Sequence, residues 1–102
     1  MNLEELRASL SASNPPAGLP VSVEALWQDG RGDWDAAHNL VQQHEDQRDC
    51  NQVHAYLHRK EGDLANAGYW YRRVGSPVYA GSLEEEWAEL VTTLLKNAPT
   101  RA

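Results

Sequence analysis

The residues best equipped for chemistry crowd into positions 50–73. Cys50, His54 and His58 recur every fourth residue, so a helix stacks them on one stripe, and Glu61 extends it. Histidines one helical turn apart can share a metal ion. In its hydrolytic form that pair carries a Glu directly after the first His; Ala55 stands there instead. A turn rises about 5.4 Å, which separates Cys50 from His58 by roughly 12 Å. Both cannot join His54 on one ion with bonds of about 2 Å. A complete site therefore needs a ligand from another helix, and His38, Glu61 and Asp63 are the candidates. The ion would be zinc or another divalent metal on His54 and His58. Nothing else in the sequence asks for a cofactor. The competing reading packs both imidazoles into a helix seam or against carboxylates.

The second cluster is basic. Arg59, Lys60, Arg72 and Arg73 give residues 51–75 a local surplus of two positive charges, while the whole chain is at −6. Such an island can receive a carboxylate or phosphate, and paired arginines can do so bidentately. Equally, Arg59 can pair with Glu61 and Asp63 across a turn. Arg72 and Arg73 suit the end of a helix, where cations complement the dipole. A ligand-binding site here would comprise His54, His58, Arg59, Tyr69, Arg72 and Arg73.

Tyr69, Trp70 and Tyr71 stand in a row. A helix turns successive side chains about 100° apart, so the three cannot share one core. At least one must be exposed or covered by another element, such as a final helix carrying Trp87, or by a second subunit. Cys50 lies one turn from His54, a spacing that can activate a thiol, but a small buried cysteine is as common. No nucleophile elbow surrounds Ser76 or Ser82, and phosphate-loop, dinucleotide and zinc-finger patterns are absent.

The chain that must position these groups has 102 residues, 41% apolar and 24% charged, as in one ordinary globular domain. An excess of acids over bases argues against nucleic-acid or anionic-membrane binding. A single cysteine excludes an intrachain disulfide and favours a reducing, cytoplasmic setting. The acidic start, with no apolar stretch behind it, reads neither as a signal peptide nor as a membrane span.

Apolar spacing and cap residues predict an all-α chain. A short amphipathic segment over 2–11 carries Leu3, Leu6 and Leu10. Three prolines and one glycine make 12–20 a Pro-rich linker, whose end Leu19 and Val21 can pin to the core. Ser22 is expected to cap a helix to about Asp29, and Asp33 a second from Trp34 to about His44. A third helix spans Cys50 to Glu61, ended by Gly62, and Asp63 caps a fourth, Leu64 to Val74, closed by Gly75 and Pro77. Ser82 and Glu85 form a capping box for a last helix over 82–97, with Pro99 beyond it.

Shifting the chain by thirty residues lays Val23 on Val53, Ala25 on Ala55, Gly32 on Gly62, Asp33 on Asp63 and Ala37 on Ala67. Both copies read helix, Gly-Asp, helix, so 22–75 forms two antiparallel hairpins that bury a shared seam. The run Gly32-Asp33-Trp34-Asp35-Ala36-Ala37 resembles the inter-helix turn of a tetratricopeptide repeat, and Gly62 to Ala67 is a weaker version. Ala37, Ala67 and Tyr71 match that pattern. The period of thirty rather than thirty-four departs from it, as do Gln28 and His58 where an aromatic is expected. The run from His54 to Asp63, followed by Tyr69 to Arg73, is also similar to small uncharacterised bacterial helical proteins.

The resemblance implies a non-enzymatic module that binds a protein partner or a second copy of itself. The alternative is a small-ligand or metal-binding protein, with catalysis as an option, built on His54, His58, Arg59 and Arg72.

Overall fold

A computed structural model describes residues 1–97, and the stop expected at Pro99 lies outside them. Six helices follow in order: α1 Leu3–Ser9, α2 Val21–Gly30, α3 Trp34–Gln42, α4 Arg48–Glu61, α5 Leu64–Val74 and α6 Leu83–Asn97. No strand occurs among the described residues, so the all-α expectation holds.

The two Gly-Asp turns build the hairpins. Gly32 and Gly62 take left-handed φ values of 86° and 88°, which side chains with a Cβ resist. Each following aspartate then caps the next helix. Asp33 Oδ1 accepts from Ala36 N–H at 3.0 Å, and Asp63 Oδ1 accepts from Asn66 N–H at 3.3 Å. As a result α2 packs along α3 and α4 along α5, while α3 against α4 joins the hairpins. The box at the head of α6 also forms: Ser82 Oγ accepts from Glu85 N–H, and Glu85 Oε1 accepts from Ser82 N–H, both at 3.0 Å.

Some helix ends differ from the sequence reading. Ser22 is not a cap. Pro20 holds that position, with φ −57° preset by its ring and no side-chain hydrogen bond, and Ser22 is buried inside the first turn. Helix α3 stops at Gln42, two residues early, and α4 begins at Arg48, two residues early. The polar stretch between them thus divides between a turn and a first helical turn.

The main core joins Leu6, Val23, Leu26, Trp27, Val41, Val53, Leu57, Val91 and Leu94, with Leu19 and Val21 pinning the linker against it. Helix α6 packs on α2 and α4, and Trp87 Nε1 donates to Leu26 O at 2.8 Å. A smaller cluster of Ala55, Ala67, Trp70 and Tyr71 fills the α4–α5 hairpin.

Candidate functional site

Helix α3, started by its Asp33 cap, packs against α4 and brings the histidines together. His54 and His58 lie one turn apart on α4, rings stacked with centroids 4.8 Å apart. Helix α3 delivers His38 across the seam. Its Nε2 lies 3.2 Å from His54 Nε2, and its ring meets both others edge to face. All three offer a ring nitrogen within 4.8 Å of the other two. Ligand nitrogens on a tetrahedral zinc sit roughly 3.3 Å apart, so the closest pair is already at coordinating separation. The third nitrogen must move in by at most about 1.5 Å, within reach of a side-chain rotation.

Indoles wall the cluster. Trp34 lies one turn before His38 and stacks on it, centroids 4.9 Å apart and planes 7° from parallel. It is held there by Trp34 Nε1 donating to Leu57 O at 2.9 Å. Trp70 of α5 stacks on His54 at 4.0 Å. His54 and His58 are buried and His38 is half-buried, so the cluster sits at the edge of the seam with one imidazole facing out.

The electrostatics keep these rings available as ligands. Burial first, then the neighbouring His58, His38 and Arg73, push the His54 pKa down to about 3. His38 is also lowered, chiefly by burial and then by His58, against the opposing pull of Glu61, Asp35 and Glu45. Neutral imidazole is the metal-binding form, so protons compete weakly here near neutral pH. Glu61 Oε2 accepts from His58 Nδ1–H at 2.6 Å, which leaves Nε2 of that ring as the free ligand. A carboxylate behind a ligating histidine is the usual way to fix its tautomer and raise its basicity.

His54 lacks that support: its Nδ1 is buried with no hydrogen-bond partner. Without an ion, a proton on Nε2 donated to His38 leaves Nδ1 as a bare lone pair. Coordination through Nε2 moves the proton to Nδ1 and strands a buried donor, costing about 1–3 kcal/mol. That is small beside the ten or more that a zinc site can supply.

The sequence candidates divide sharply. His54 and His58 meet as the spacing implied, and the third imidazole beside them is His38. Arg73 is at the rim, its guanidinium 4.9 Å from the Trp70 ring centre and Nη2 donating to Glu45 O at 3.3 Å. Tyr69 stands edge-on to Trp70 and is half-exposed. Arg72 is exposed. Arg59 is committed elsewhere: Nη1 lies 3.6 Å from the buried Glu86, the guanidinium covers the Tyr79 ring, and it donates to Gly81 O. Lys60 pairs with Asp29 at 2.8 Å, which also accepts from Tyr56 O–H at 2.7 Å. The basic island is therefore dispersed over separate pairs. Glu61 and Asp63 form a second, exposed grouping with His58.

Cys50 takes no part. Its thiol points to Gln47 Oε1 at 3.7 Å, and burial, reinforced by Asp49 and Asp46, pushes its pKa up to about 11. A thiol held protonated is a poor nucleophile and a poor ligand. Neither Trp34 nor Trp70 was among the site residues expected from the sequence. The available signal was the Trp34–His38 spacing of four, matching that of His54 and His58.

No protein-family model, no curated protein and no solved structure matches the chain. The site must be read from its own geometry.

Proposed function

We propose that this protein binds one divalent transition-metal ion, with zinc as the reference case, through His38, His54 and His58. The observation that carries the reading is the convergence of three imidazole nitrogens within 4.8 Å from two helices of different hairpins. Three nitrogen donors suit zinc, nickel, cobalt or copper rather than magnesium or calcium, which prefer oxygen. An ion there would cross-link the two hairpins at their seam.

Zinc titrated calorimetrically into chelator-stripped protein is expected to bind one per chain. His38→Gln, His54→Gln and His58→Gln should each weaken it severely, and Glu61→Gln by about 10–100-fold through the lost support of His58. Zinc binding that is indifferent to all four substitutions would refute the reading.

A second reading, self-association of a tetratricopeptide-like hairpin, draws on the outer face of α5, where Leu64 and Tyr69 are exposed. Its aromatic basis is narrow, because Trp70 and Trp87 are each only 7% exposed. A monomer in sedimentation at high protein concentration would dismiss it.

A further inference from the structure

Among the described residues, no cysteine, aspartate, glutamate or further histidine joins the three nitrogens at that spacing. Glu61 is engaged behind His58, and the Cys50 thiol is turned to Gln47. Zinc prefers four ligands, and a site with three protein ligands leaves the fourth position to water or substrate. His38 is half-buried, so that position can reach solvent.

We infer that the three-histidine ion is an open centre: its fourth position carries an exchangeable water that yields to small monodentate anions and, as hydroxide, hydrolyses activated esters. The inference rests on the metal-binding reading above. Three neutral imidazoles leave the ion its full double positive charge, which is what acidifies a bound water. The charged groups around the site are Asp35, Glu45 and Glu61, facing His38, Asp63 beside His58, and Arg73 beside Trp70. Trp34 and Trp70, stacked on His38 and His54, keep the surroundings of the ion apolar.

The step needs no other reactant. Bound water loses a proton to solvent, and the hydroxide oxygen forms a bond to the carbonyl carbon. The bond from that carbon to the leaving oxygen then breaks, the leaving group takes the electron pair, the acid formed gives its proton to solvent, and a new water fills the position as the carboxylate departs.

The test uses full-length protein loaded with cobalt for spectroscopy and with zinc for turnover. Azide added to the cobalt form should shift its visible bands, and the zinc form should hydrolyse p-nitrophenyl acetate at least about tenfold faster than stripped protein. His38→Gln, whose amide can still hydrogen-bond His54, should fall to the stripped rate while keeping its helical circular dichroism. Cobalt bands that form but ignore azide would overturn the open position while leaving metal binding intact. An azide shift without hydrolysis would overturn the inference as stated. Failure of any cobalt band to form would defeat the metal-binding reading itself, and this inference with it.

Discussion

Acid should loosen this fold through one identifiable group. His54 is 3% exposed, and its pKa sits near 3 against an ordinary 6.5. Between those values the unfolded chain holds a proton on this imidazole and the folded chain does not. Stability therefore rises with pH across the window, and is lost as pH falls below about 6.5, at about 1.4 kcal/mol per unit. From pH 7 to pH 5 the loss from His54 alone comes to about 2 kcal/mol. Above pH 7 the group contributes no pH dependence. His38, also lowered, adds in the same direction. Glu86, raised by burial, acts oppositely: its native form holds a proton longer, so its share of stability falls as pH rises. Both are common to the wild type and to His54→Gln, which cannot titrate. Urea unfolding of the two chelated proteins at pH 7 and pH 5 isolates His54. The wild type should lose about 2 kcal/mol more than the variant. Equal losses would refute the claim that this imidazole is held neutral by its surroundings.

Other outcomes follow from the same contacts. Zinc at a hundred times its dissociation constant should add about 2.7 kcal/mol and raise Tm reversibly, with chelator removing the gain. Gly62→Val should cost more than about 1 kcal/mol in urea unfolding, because φ there is 88°. Asp63→Ala should cost roughly 1 kcal/mol by losing the bond to Asn66 N–H. Tyr71→Phe should cost about 1–3 kcal/mol, since Tyr71 O–H donates to the buried Glu86 at 2.5 Å and Glu86 Oε1 already lacks a hydrogen-bond partner. Unchanged urea midpoints would count against each.

What was legible in the sequence was local. The Gly-Asp turns, the Asp33 and Asp63 caps and the Ser82–Glu85 box depend on neighbours within three residues, and each formed where expected. Ser22 misled because Pro20, two residues earlier, already started the helix. The site was half legible. Spacing alone pairs His54 with His58, and the need for a third ligand pointed to another helix. The choice of His38 over Asp63 depended on how α3 lies across α4, a contact between hairpins that no local pattern encodes. Arg59 shows the same limit from the other side. Its partner Glu86 lies on α6, and nothing near Arg59 in sequence reveals that pairing. The three aromatics diverge as helical geometry requires: Tyr69 outward, Trp70 onto His54 and Tyr71 to Glu86. Yet α6 covers only Tyr71, and Trp70 finds its cover on the imidazole.

The central claim is that His38, His54 and His58 hold one metal ion and that a fourth light atom completes its shell. X-ray absorption at the zinc edge of protein loaded one to one tests it directly. Three imidazoles and one further oxygen or nitrogen at about 2.0–2.1 Å is the predicted result. A sulfur neighbour at about 2.3 Å, which would place the ion on Cys50, or a shell with fewer than three imidazoles, would contradict it.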